Sequence, residues 1–221
     1  MTSSTAAIPH TTYAPTGFFS HHQNAAPMPP MTTNCATYPP TDAGHAERSY
    51  TLVPSVFDAM EAGKPLPVRD NSGSIDLTSG TLGFTPEATV HPFTVAFWVK
   101  TAGSGSILHI DGVNRDYDAA SLGVNDGSWH LVAVTHYYAQ GVTRMYVDGV
   151  EHSSATERMV ATRFSIGGGT FRELFFWRSA MNAGEISALY GGAMLKSSLE
   201  IYAPFKGGAL DNLATSTNSL N

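Results

Sequence analysis

The 221-residue chain carries twelve Lys and Arg against eighteen Asp and Glu, a net charge of −6, with 42% hydrophobic and 14% charged residues. That composition can bury a core but is too acidic for the counterion release that binding to phosphate backbones requires, so nucleic acid is not an expected partner. No apolar run approaches the roughly 20 residues that span a bilayer, so no membrane-spanning helix is expected. Cys35, the single cysteine, excludes an internal disulfide and any multi-thiolate metal site.

Residues 1–47 hold seven of the thirteen prolines, and their charged side chains are Asp42 and Glu47 alone. Proline fixes φ and removes donors, while the surrounding Thr, Ser, Ala and Asn offer little to bury, so this segment reads as an extended, polyproline-like arm. Neither a basic stretch nor an apolar run of about 7 to 15 residues precedes Arg48, so the arm is not expected to be a secretory signal. Four of the nine histidines (His10, His21, His22 and His45) lie in it, without a framework to orient them as metal ligands.

From Arg48 to about residue 203 short apolar runs alternate with Gly, Asn, Asp and Ser at intervals of about 8 to 12 residues, the spacing of a sandwich or barrel. Ser55 to Ala62 has the length of a two-turn helix, with Ser55 as N-cap and Gly63 and Pro65 as the stop. In Phe93–Lys100 the period of two places Phe93, Val95, Phe97 and Val99 on one face, towards a core, and Trp98 on the other. Ser106 to Ile110, Trp129 to Tyr138, Val142 to Asp148 and Arg163 to Ile166 also read as strands. Turns are expected at Asn125-Asp126-Gly127, at Asp148-Gly149 and at the three glycines 167–169. Alternation turns Met145 and Val147 towards the core and Tyr146 away from it. A second helix is expected over Asn182 to Tyr190, where Asn182 and Glu185 have capping-box spacing and Ile186, Leu189 and Tyr190 share a face. The polar stretch 204–221, uncharged apart from Lys206 and Asp211, reads as a tail, open to being a second arm.

Taken in order, FTVAFWVK (93–100), DGSWH (126–130), MYVDG (145–149), FSIG (164–167) and the closing Glu185-Ile186 with Leu189-Tyr190 resemble the laminin-G-like, concanavalin A-like jelly rolls. The resemblance covers about residues 75 to 192. It departs at Phe171-Arg172-Glu173-Leu174, where that family commonly carries an Asp-Glu pair and this chain has Arg172 first. It implies an all-β, antiparallel two-sheet jelly-roll sandwich of about a dozen strands. One or two short helices complete it, and the concave face or loop rim would bind glycans or proteins, sometimes through calcium.

Fold does not assign chemistry, which has to be sought in the residues. No Glu-x-Asp-x-Glu strand of the laminarinase kind occurs, nor a His-Glu-x-x-His, a Gly-x-Ser-x-Gly or a phosphate-cradling loop, so no catalytic residue is assigned. Asp111, Asn114, Asp116 and Asp118, read as a loop between two strands, offer the hard oxygen ligands that calcium prefers and form the candidate metal set. Trp98, with His136, Tyr137 and Tyr138 near a strand end, are the candidate glycan contacts, since sugar binding needs aromatic faces flanked by polar acceptors. The functional expectation is a non-enzymatic bacteriophage virion surface protein, a capsid decoration protein or tail appendage, held to virion proteins through the arm. Glycans and a second copy of the chain are further candidate partners. The alternatives are an extracellular carbohydrate-binding module, secreted or on a cell surface, and a divergent polysaccharide hydrolase or lyase.

Overall fold

The computed structural model describes residues 67–88 and 92–221. The arm 1–47 with Cys35 and its histidines, and the helix expected over Ser55 to Ala62, lie outside the described residues. Among the described residues eleven strands form two antiparallel sheets, and the fold is an all-β jelly-roll sandwich. The larger sheet runs β1 (Ile75–Asp76), β10 (Thr170–Trp177), β3 (Phe93–Lys100), β6 (Trp129–Tyr137), β7 (Val142–Val147), β8 (Val150–Thr156), and β11 (Leu199–Ala203) pairs with the far half of β10. The smaller sheet runs β2 (Thr81–Phe84), β9 (Arg163–Gly167), β4 (Ser106–Asp111), β5 (Arg115–Asp118). Two helices complete the described part, α1 (Ala119–Leu122) and α2 (Ala183–Tyr190), with a 3-10 turn at Lys206–Gly208.

Alternation along β3 sends Phe93, Val95, Phe97 and Val99 between the sheets, where they meet Ile107, Leu108 and Ile110 of β4 and Phe164 and Ile166 of β9. Four phenylalanines, 84, 93, 164 and 176, pack there with ring centroids 4.9 to 6.1 Å apart. The opposite face of the large sheet is buried too. Ala96, Leu131, Ala133, Tyr146, Phe175 and Trp177 form a second core with Ile186 and Leu189 of α2 and with Ala214 of the tail. Strands covered on both faces lose the clean apolar–polar alternation, and this explains FTVAFWVK, where the outward positions 94 and 96 are as buried as the inward ones. Met145 and Val147 do face the inter-sheet core and Tyr146 does leave it, but Tyr146 ends in the second core, 2% exposed.

Helix α2 starts as its spacing predicts. Asn182 accepts from the Glu185 amide at 3.1 Å, and Glu185 accepts from the Asn182 amide at 2.8 Å. Its body lies over the β7–β8 hairpin, whose turn residues Asp148 and Gly149 have φ of +51° and +83°. A Cβ on Gly149 would come within 3.1 Å of the Tyr190 Cβ, so this turn needs glycine both for its φ and for the helix above it.

Two expectations are corrected. Residues 204–221 are no free second arm. Gly83 and Asn221 exchange both backbone hydrogen bonds at 2.9 Å, and Leu220 closes the inter-sheet core. Asn212 and Ser216 both donate to the Glu200 carbonyl. The Asp111–Asp118 stretch is not simply a loop, since Arg115–Asp118 forms β5, pairing with β4.

Candidate functional site

Beyond the cover of α2, the outer face of the large sheet carries a row of aromatic and cationic side chains. Trp98 on β3 is the Cα partner of Arg172 on β10, and Trp129 opens β6 opposite Lys100. The Arg172 guanidinium lies 4.8 Å from the Trp98 ring centroid and 4.5 Å from that of Trp129, a cation held between two indoles. Tyr190, the last residue of α2, stacks on Trp98 at 5.6 Å with 26° between the planes. The order is Tyr190, Trp98, Arg172, Trp129, contributed by one helix and three adjacent strands.

A bulge sets up this arrangement. Between Arg172 and Phe175 strand β10 advances three residues while β3 advances two, so Phe171 and Leu174 both face the inter-sheet core. Arg172, Phe175 and Trp177 are left on the outer face. Glu173 is the extra residue, with φ of +51° and a side chain buried completely. Arg69 neutralises it in a bidentate pair, both contacts at 2.8 Å. The remaining arm of Arg69 donates to the carbonyls of Leu189 at 2.6 Å and Ala193 at 3.0 Å, so one cation ties the bulge to the end of α2. The strand-breaking Glu173 thereby fixes both the aromatic row and the helix that supplies Tyr190.

Next to this strut a cleft of about 490 Å³ is lined by Arg69, Asp70, Asn71, Trp98, Tyr190 and the two glycines after the helix. The Ser72 hydroxyl and amide, and then Lys206, hold the Asp70 carboxyl down at about 2, so it is an anionic acceptor throughout the neutral range. A second cavity, of about 680 Å³, lies by Trp129 at the other end of the row, with Lys100 and a rim of Gly, Thr and Ala.

Of the expected glycan contacts, Trp98 alone belongs to this row. His136 is wholly buried on the core side of β6, where Nδ1 lies 3.0 Å from the Thr143 hydroxyl and Nε2 accepts from the Met159 amide at 3.2 Å. Burial lowers its pKa, and it holds the β6–β7 pair and the 157–162 segment together as a neutral ring. Tyr137 is exposed and Tyr138 packs edge-on to His136. Both sit at the Phe93 end of β3, five residues from Trp98, about 17 Å along the strand.

The calcium set does not fit an ion. Asp111 and Asp116 both turn to His109, with oxygens 3.2 Å from Nε2 and 2.8 Å from Nδ1. Asn114 occupies a tight turn at φ of +49°, and Asp118 stands at the start of α1. Among the described residues no three His, Cys, Asp or Glu side chains are gathered to hold a metal. A second Asp–His–Asp group is formed by His130, whose Nδ1 lies 2.8 Å from Asp148 and Nε2 3.0 Å from Asp126. Partial burial opposes the charge on His130, but the flanking Asp148 and Asp126 outweigh it and raise its pKa; Asp116 does so first for His109.

The sequence reading missed Arg172, Trp129, Tyr190, Arg69 and Asn71 as site residues. Trp98 and Lys100 share the outer face of β3 by simple alternation, but their neighbours follow only from the order β10-β3-β6.

No family model matches the chain. Part of it, 36% of its length, is 28% identical over 105 residues to 3% of the sushi, von Willebrand factor type A, EGF and pentraxin domain-containing protein 1 of Rattus norvegicus. The match therefore spans a small fraction of that relative. Among solved structures, the heptameric SAP-like pentraxin of Limulus polyphemus is 14% identical, with a TM-score of 0.45 over 70% of this chain and 94% of that one. A candidate carbohydrate-binding protein from Bacteroides ovatus is 15% identical, with a TM-score of 0.44 over 66% and 59%. The binding domain of botulinum neurotoxin serotype D is 12% identical, with a TM-score of 0.40 over 54% and 41%.

Proposed function

We propose that the chain is a non-enzymatic glycan-binding module whose site is the cleft between Trp98, Tyr190 and the Asp70-Asn71 loop. The observation that carries this reading is the stacked Trp98–Tyr190 pair lining a cavity beside a carboxylate and an amide. The apolar face of a sugar ring packs on an indole or phenol, while its hydroxyls need fixed acceptors and donors at the edge. A binding role rather than catalysis is supported by the state of the acids nearby. Glu173 is committed to Arg69, and Asp70 to Ser72 and Lys206. Neither carboxylate is left for proton transfer.

The finer proposal places this module on the surface of a virus particle, as a capsid decoration protein or tail appendage tethered through residues 1–47. Its support is compositional: a proline-rich, nearly uncharged segment gains contact area by ordering on a neighbour. Two experiments test the two levels. Titration against a panel of neutral and acidic oligosaccharides should give saturable binding that falls about tenfold or more in Tyr190→Ala; unchanged affinity in that variant removes the cleft as the site. Deleting residues 1–47 should abolish incorporation into particles, and normal incorporation of the truncated protein overturns the virion assignment.

A further inference from the structure

We propose that the saccharide taken by this module is anionic, its carboxylate or sulfate received at Arg172 and Lys100 on the outer face of the large sheet. The inference rests on the glycan reading of the Trp98–Tyr190 cleft and specifies the class of sugar.

Three observations carry it. The guanidinium of Arg172 is stacked between Trp98 and Trp129, and among the described residues it makes no ion pair. A guanidinium stacked on its faces keeps its N–H edge for a planar anionic acceptor, which it can grip with two parallel bonds. Two donors in the row, Arg172 Nε and Trp98 Nε1, are buried and have no acceptor among the described residues. Buried donors are ordinarily paired, so these two mark the row as a donor-rich surface that no acceptor among the described residues compensates. Lastly, Lys100 is the one charged side chain lining the 680 Å³ cavity that Trp129 borders, and among the described residues it too has no ion-pair partner. The other lining residues are Gly, Thr and Ala besides Trp129, small enough to admit a bulky substituent.

The surroundings leave these cations uncompensated. Glu173, adjacent to Arg172, is closed by Arg69, and Asp126, near the cavity rim, is engaged by His130 and the Ser128 amide. The whole chain carries −6 and repels polyanions, so attraction has to come from a local site.

Calorimetric titration of the full chain with four probes tests the proposal: oligogalacturonate, its neutral galactose counterpart, a sulfated dextran oligomer and polyglutamate. The expected result is that at least one acidic saccharide binds about tenfold more tightly than the neutral one at low salt, a preference that fades as salt rises to about 0.5 M. The carboxylated and sulfated arms identify which anion is preferred. Lys100→Gln and Arg172→Gln should each cut the preference to within about twofold. Arg172 is part of the stack and its replacement can unsettle the sheet, whereas Lys100 is exposed, so Lys100→Gln keeps the test decisive. Equal binding of acidic and neutral sugars by the unmodified chain overturns the inference and leaves the glycan reading standing. Polyglutamate binding as tightly as the acidic sugars overturns it as charge attraction alone, and absence of binding to every probe overturns both readings.

Discussion

At the scale of single residues, the molecule depends on a few buried charges that the chain order keeps far apart. Arg69 and Glu173 are 104 positions distant, and each is worth little without the other. Arg69→Ala would leave a wholly buried carboxylate unpaired, a defect that costs about 3–5 kcal/mol. Urea denaturation should register that loss, and adding Glu173→Gln should recover part of it by removing the orphaned charge; a single variant of normal stability would show that the pair does not anchor the bulge. The two Asp–His–Asp groups make a different prediction. The folded pKa of His130 is raised above its ordinary value of about 6.5, so the stabilisation is complete below about pH 6.5 and is lost as pH rises through the folded value. The stability advantage of the native chain over His130→Gln should therefore be larger at about pH 6 than at about pH 8, as followed by thermal melts at both pH values.

At the scale of elements, helix α2 and the tail act as clips on the outer face of the large sheet. Asn182→Ala removes one half of the capping box and should cost about 0.5–2 kcal/mol. Because Tyr190 rides on the same helix, weakening of the cap should loosen the Trp98 stack as well, seen as a change in tryptophan fluorescence well below the melting temperature. The tail is tied at both ends, through Asn212 and Ser216 to Glu200 and through Asn221 to Gly83. Truncation after residue 210 should strip Ala214 and Leu220 from the two cores and lower the melting temperature by several degrees. A truncated chain that melts like the full one would return residues 211–221 to the status of a passive appendage.

At the scale of the molecule, the glycan reading comes from what the layers leave uncovered. The smaller sheet closes one face of the large sheet, and α2 with the tail covers part of the other. Trp98, Arg172 and Trp129 lie where that cover ends, half-buried, between two cavities. Among the described residues no helix is long and apolar enough to cross a membrane. The Met145/Val147 face gives a check on the sandwich itself: Val147→Asp sets a charge against the inter-sheet core and should destabilise the fold by several kcal/mol, measurable as a lowered unfolding midpoint.

By itself the sequence determined the all-β class, the inward faces of β3 and β7, the presence of the β6 strand, the Asp148-Gly149 hairpin and the α2 capping box. Each of these is a local signal: a period of two, a turn that demands positive φ, or a spacing of three residues. What is written nowhere locally is β10, whose bulge at Glu173 interrupts the alternation of Phe171 to Trp177, and β8, an exposed strand without an apolar face. The same limit divides the candidate site. Trp98 is legible from alternation in one strand, whereas His136 belongs to the core because its strand position faces Phe93 rather than solvent. The calcium set dissolves because His109, outside the acidic stretch, takes two of its carboxylates. Only the tertiary structure could bring Arg172 between Trp98 and Trp129, since sheet order and a bulge, which depend on pairing between distant segments, decide which side chains share a face.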